Sequence, residues 1–150
     1  WPGTTVERLF PQIVFPVCAP AVAVRLTSPA DLLNVTIIRE PTPNFGWSDW
    51  LAAGEPAPDD LPDGPVFSDA SLCLDAAVSG SGIFLTFETL AVDALAHGRL
   101  VEPFSRRRAT SNAYWLVTAE GRALSPPARL FRNWLKQEIS AARLGEERDG

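Results

Sequence analysis

Residues 64–88, GPVFSDASLCLDAAVSGSGIFLTFE, restrict the fold more than any other part of the chain. Val66 and Phe67 make a short apolar strand. Ser68 and Asp69 follow, both of them residue types whose side chains accept hydrogen bonds from the free N–H groups of a helix start. Leu72, Cys73, Ala76 and Ala77 then recur at the spacing of one buried helix face. Gly80 is a natural helix stop, and Gly82 loosens the turn after it. Ile83, Phe84, Leu85, Thr86 and Phe87 form a nearly continuous apolar run, which suits an interior strand. A strand, a short helix and a second strand make a parallel crossover unit. In open parallel sheets ligands sit beyond the carboxyl ends of the strands, close to helix starts. Ser68 and Asp69 occupy that place.

The rest of the chain repeats the alternation of strand and helix. Residues 1–10 read as an irregular lead-in. Residues 13–18 (IVFPVC) read as a strand that Pro16 puts at an edge or a bend. Residues 20–26 suit a short helix, and Ser28-Pro29-Ala30-Asp31 starts another. Residues 35–38 (VTII) are β-branched and apolar, hence a buried strand. A turn-rich loop, 39–44, leads to Trp47, Trp50 and Leu51 at the spacing of a short amphipathic helix. Residues 54–65 are proline-rich and acidic, which predicts a mobile surface connection. Leu90, Ala91, Ala94 and Leu95 give another helix face, closed by His97 and Gly98. A strand at 100–104, a solvated loop at 105–112 with Arg106, Arg107 and Arg108, and a strand at 113–118 follow. Ser125-Pro126-Pro127 opens the longest helix, striped by Leu130, Phe131, Trp134, Leu135 and Ile139. From Gly145 the tail is charged and expected to fray. The pattern is α/β, with a mostly parallel sheet flanked by helices.

Composition narrows the function. The 150 residues carry a formal charge of −5, and a domain that grips duplex phosphates usually presents a basic face. No run approaches the roughly 18 apolar residues of a spanning helix, so no membrane partner is expected. The chain opens on Trp1 and contains no Met, as a piece of a longer protein or a processed product would. Cys18 and Cys73 fall in predicted element interiors, which fits free thiols in a cytoplasmic protein. They are not spaced as metal ligands, and neither a metal nor another cofactor is expected. His97 is the single histidine, placed at a helix end where a cation suits the helix dipole. With no G-x-S-x-G elbow and no second histidine, no nucleophile–base pair can be assembled, so an enzyme is not expected.

Taken together, LFPQIVFPVCAPAVAVRLTSPADLL, WSDWL, FSDASLCLDAAVSGSGIFLTFETLAVDALAHGRLVEPF, AYWLVT and ARLFRNWL resemble, in order, the effector-binding domain of LysR-type transcriptional regulators. The similarity runs from about Trp1 to about Lys136 and is strongest toward the branch holding the glycine-cleavage and β-lactamase activators. The resemblance implies a fold like type 2 periplasmic binding proteins, with two lobes and a small effector between them. A DNA-binding domain would lie elsewhere in the longer protein. It implies a complete second lobe over about 9–86 and a return to a partial first lobe over about 87–144, with 145–150 a tail. It also implies a small polar metabolite as effector, DNA contact only through the domain outside this chain, and association into homodimers or larger assemblies. A solute-binding protein of the same fold, serving a transporter, is the alternative function.

The ligand-binding candidates are Ser68, Asp69, Arg39, Asn44, Trp47 and Tyr114. Ser68 and Asp69 offer a hydroxyl and a carboxylate at a helix start, though simple capping explains them equally. Arg39 could hold an effector carboxylate through both guanidinium nitrogens, or pair with Glu40 or a loop acid. Asn44 and Trp47 follow it on the same side. Tyr114 shares a strand face with Leu116 and Thr118, and the resemblance implies that it reaches across the cleft from the first lobe. Thr86 and Phe87 are the implied hinge. Asp59 and Asp60 read as solvated.

Overall fold

One long strand organises the molecule. The computed structural model describes residues 2–41 and 43–149; Trp1, Thr42 and Gly150, which fall in the lead-in, the turn-rich loop and the tail anticipated above, lie outside them. Strand β1 (Thr4–Cys18) joins β2 (Ile37–Ile38), β3 (Ile83–Phe87) and β4 (Arg108–Ala119) in one sheet of order β2–β3–β1–β4. β1 runs antiparallel to both β3 and β4. β2 is parallel to β3, and Val66 adds one parallel bridge to Arg39.

The α/β class holds, but the sheet is mixed, and the mostly parallel arrangement is confined to the edge made by Val66, β2 and β3. The cause is the reach of β1. Its first half, TTVERLFPQ, pairs with β4 from the far end of the chain, and local pattern cannot signal such a partner. Pro16 stands in an interior strand without breaking a ladder. The Cys18 N–H turns away from β3 to the Val101 carbonyl (3.2 Å), and alternate residues of a strand point the same way. The missing N–H of Pro16 therefore falls in the gap between the end of β4, at Val14–Arg108, and that Cys18–Val101 bridge.

Helices α1 (Pro20–Ala23), α2 (Trp47–Trp50), α3 (Ala70–Val78), α4 (Glu88–Ala96) and α5 (Pro126–Ala141) complete the fold. The period-two alternation of the strands divides the core into two layers. On one face Ile13, Phe15, Val17 and Phe84 pack with Cys73, Ala76 and Ala77 of α3 and Ala91 and Ala94 of α4. On the other, Val14, Ile37, Ile83 and Leu85 pack with Leu26, Leu32, Trp47, Trp50 and Leu61. Full burial of a side chain such as Phe15 contributes about 2–3 kcal/mol. Leu72, expected on the buried face of α3, is exposed. Cys18 and Cys73 are buried free thiols. Burial pushes the Cys18 thiol up to about 11.

α4 follows Phe87 directly, and its Ala91 and Ala94 sit in the same layer as α3. Register shifts between β1 and β4 fall between Arg8 and Phe10 and between Pro11 and Ile13. Two further expectations are corrected. The arginine loop is not solvated. Arg107, 12% exposed, is enclosed by Glu88 (9%) and Glu102 (16%) and lies 4.2 Å over the Phe15 ring. Burial alone would lower the Arg107 pKa, but its hydrogen bonds to Glu102 and Glu88 and their charges outweigh that and hold it above the usual value. The tail is docked rather than frayed. Arg148 makes two backbone hydrogen bonds with Arg107 (2.8 and 3.2 Å), and the Gly145 N–H donates to the Glu88 carboxylate (2.8 Å).

Beyond the register shifts, the outer halves of β1 and β4 form a ribbon that carries α5. α5 has no buried residue, and Leu130, Phe131 and Trp134 are 71%, 54% and 52% exposed. Trp115, Val6 and Val117 are exposed on the ribbon as well. Among the described residues, no helix is long and apolar enough to cross a membrane.

Candidate functional site

The parallel edge of the sheet places the carboxyl ends of β2 and its neighbours beside a loop rich in proline and aromatic residues. A cleft of about 240 Å³ opens there, lined chiefly by Arg39, Glu40, Phe45, Trp47, Ser48 and Asp59. The wall built by the loop is firmly held. The Asp49 carboxylate accepts from the Gly46 N–H (2.7 Å), which starts α2. α2 is short, yet Trp47 and Trp50 meet edge to face at 6.0 Å. The Trp50 indole N–H donates to the Arg106 carbonyl (3.0 Å), and the Arg106 guanidinium stacks 4.1 Å above the Trp50 ring. Arg106 also donates twice to Glu55 (2.9 and 2.6 Å), and this hydrogen bonding holds the Glu55 carboxyl below its ordinary value. Residues 54–65, expected to be a mobile connection, are pinned at Glu55, at buried Leu61 and at the Leu61 and Pro62 carbonyls.

Of the candidates from sequence, the cleft gathers Arg39 and Trp47. Arg39 is engaged through one nitrogen, while its buried Nε has no hydrogen-bond partner among the described residues. Its Nη2 donates to the carbonyls of Leu61 (3.2 Å) and Pro62 (3.3 Å), and its Nε lies 4.0 Å from the Asp63 carboxylate. It straps the 61–63 segment to the end of β2, which is the loop-acid pairing weighed against effector binding. Trp47 is 8% exposed and forms part of the cleft wall. Asn44 does not line the cleft; its carbonyl accepts from the Asn112 side chain (2.9 Å).

Ser68 and Asp69 are exposed and lie outside the cleft. The Asp69 carboxylate caps α3, accepting from the N–H groups of Ser71 (2.9 Å) and Leu72 (3.1 Å). Tyr114 also lies apart. Its ring stacks on Phe10 with centroids 4.5 Å apart, and its hydroxyl shares a 2.8 Å hydrogen bond with Thr89. Thr86 is fully buried, and its hydroxyl has no hydrogen-bond partner among the described residues. Phe87 backs the cleft wall through an edge-on contact with Phe45, 6.1 Å between centroids.

Glu40, Phe45, Ser48 and Asp59 line the cleft and were not among the candidates from sequence. The one available signal was Phe45, a large apolar residue inside a turn-rich loop that directly follows a strand end. Among the described residues, no group of histidine, cysteine or carboxylate side chains is arranged to hold a metal. His97 is exposed at the end of α4, its Nδ1 2.8 Å from the Asp93 carbonyl.

The model of the LysR substrate binding domain matches residues 1–140. The chain is 34% identical over 140 residues to the HTH-type transcriptional activator AmpR of Enterobacter cloacae, covering 93% of this chain and 47% of that protein. It is 29% identical over 144 residues to the glycine cleavage system transcriptional activator of Escherichia coli K12, covering 94% and 47%. The solved effector domain of AmpR from Pseudomonas aeruginosa superposes with a TM-score of 0.71 at 32% identity, over 95% of this chain and 67% of that one. The chain thus spans about half the length of the curated relatives it matches. Those relatives are transcriptional activators, and the transporter alternative finds no support among them. On the extent of the family match and the shared fold, the chain belongs to the LysR substrate-binding domain family.

Proposed function

We propose that this chain is the effector-sensing and dimerisation part of a LysR-type transcriptional regulator, acting by binding and not by catalysis. The observation that carries the reading is the cleft at the carboxyl end of β2, walled by a pinned aromatic loop, in a chain of this family. Effector binding there would favour one arrangement of the protein over another and so re-space DNA-binding domains carried elsewhere in the regulator. In this reading residues 9–86 form most of the effector-holding lobe, and α4 stays with it. Trp47 contacts the effector. Arg39 and Asp69 hold the lobe together instead of touching ligand. Tyr114 and the outer ribbon belong with the other lobe.

The test is a thermal-shift screen of small metabolites on this chain. A ligand present at a hundred times its Kd raises stability by about 2.7 kcal/mol. Trp47→Ala should abolish the rise. Consumption of the ligand would overturn the non-catalytic reading, and a shift untouched by Trp47→Ala would overturn the site.

The bare face of α5 and the ribbon supports the second half of the proposal, since soluble monomers rarely expose so many large apolar residues together. Light scattering should find this chain associated with itself at micromolar concentration. Replacing Leu130, Phe131 and Trp134 by serine should return it to a monomer. A wild-type chain that stays monomeric at high concentration would count against this part.

A further inference from the structure

The carboxylates that line the cleft outnumber its one arginine. The Arg39 guanidinium donates through Nη2 to the Leu61 and Pro62 carbonyls and lies 4.0 Å from Asp63, while its buried Nε has no hydrogen-bond partner among the described residues. Glu40 and Asp59 also line the cleft, and among the described residues neither carboxylate has a hydrogen-bond or ion-pair partner. The charge of Glu40 reaches into the core beside it. After burial, it is the next cause pushing up the thiol of Cys73, a residue bonded to the Arg39 carbonyl. The aromatic side chains of Phe45 and Trp47 line the same cleft. Both are fixed from behind, Phe45 by Phe87 and Trp47 by Trp50.

We infer that the cleft takes a small organic cation, an amine or amidine with an apolar body. The cationic head would meet Glu40 and Asp59, and the body would lie against Phe45 and Trp47. Two carboxylates lining one cleft favour positive charge there, an aromatic face attracts it as well, and a charge-assisted hydrogen bond is about twice as strong as a neutral one. An anion would meet two like charges against one arginine, whose Nη2 is already engaged. All of these lining residues come from this chain, so the site needs no opposite wall to bind. The inference rests on reading the cleft as the effector site.

The experiment follows the indole N–H NMR signal of Trp47, assigned through Trp47→Phe, during titration of this chain with three matched probes. These are phenethylamine, 2-phenylethanol and 3-phenylpropanoate. The amine should bind at least about tenfold more tightly than the alcohol, and salt should weaken it. Glu40→Gln and Asp59→Asn should each bring the amine toward the level of the alcohol; Asp59 is exposed, so its replacement leaves the fold intact. If the propanoate moves the signal at lower concentration than the amine, the cation assignment is overturned while the site stands. If no probe moves it, the site reading and the cation assignment both fail.

Discussion

Replacing Arg107 with alanine should destabilise the chain by about 3–5 kcal/mol, the cost typical of breaking a buried ion pair from one side. The loss is not simply that of two ion pairs. Glu88 would remain almost shut off from water with no cation to answer it, and Glu102 would keep only the more distant Arg148. The face of Phe15 would lose the guanidinium above it. The tail would lose part of its support, because Glu88 also accepts from Gly145 and Glu102 lies 3.8 Å from Arg148. Urea unfolding at neutral pH measures the difference. The informative partner is the triple variant Arg107→Met, Glu88→Gln, Glu102→Gln, which removes the charges together and should recover much of the loss. A single variant within 1 kcal/mol of the parent would mean that the two carboxylates reach water in solution.

The second large effect concerns Gly82, in the turn between α3 and β3. Its φ is +158°, and a Cβ built there would lie 2.3 Å from the Thr36 carbonyl oxygen. That oxygen cannot move away cheaply, because it accepts from the Ile83 N–H (2.9 Å) where β3 meets β2. Gly82→Ala must therefore separate the two parallel strands or twist the turn. Strain and overpacking together predict a loss of about 2–4 kcal/mol. Gly80 is the control. It also has a positive φ, +82°, but nothing lies within 4 Å of its added Cβ. Gly80→Ala should cost about 1 kcal/mol, the backbone part alone. Equal losses for the two variants in urea unfolding would show that contact with Thr36 is not what fixes Gly82.

These two positions show where the sequence could be read and where it could not. The strand–helix–strand reading of residues 64–88 survives because its signals are local. Asp69 caps α3 within three residues of itself, and the buried Cys73, Ala76 and Ala77 repeat at helical spacing. The long lead-in of β1 was hidden because Thr4 answers to Ala119 and Val6 to Val117, partners that no window of sequence contains. The arginine loop misled for a related reason. Three adjacent arginines look solvated until Glu55 and Glu88 arrive from distant parts of the chain and join nearby Glu102. α4 shows small residues on its buried face, and alanine does not say which core it will join. At the cleft, Trp47 was legible as an aromatic at helical spacing. Glu40 and Asp59 were not, since an acid in a loop is ordinarily solvated and only the folded loop turns these two toward one space.

The same long-range pairing bears on how the chain reaches its fold. β1 is synthesised well before β4, yet almost all of its outer half bonds to β4 and nothing nearer can substitute. Proteins dominated by contacts between distant residues pay loop-closure entropy before those contacts reward them, and they fold slowly. During that interval the IVFPVC segment of β1 waits for β3, α3 and α4, all of them made later. The α3–β3–β2 unit, whose contacts are closer in sequence, is the natural seed on which β1 docks, with the ribbon zipping last. A chaperone that recognises extended apolar segments would find its binding window in β1, and that window closes when β4 arrives.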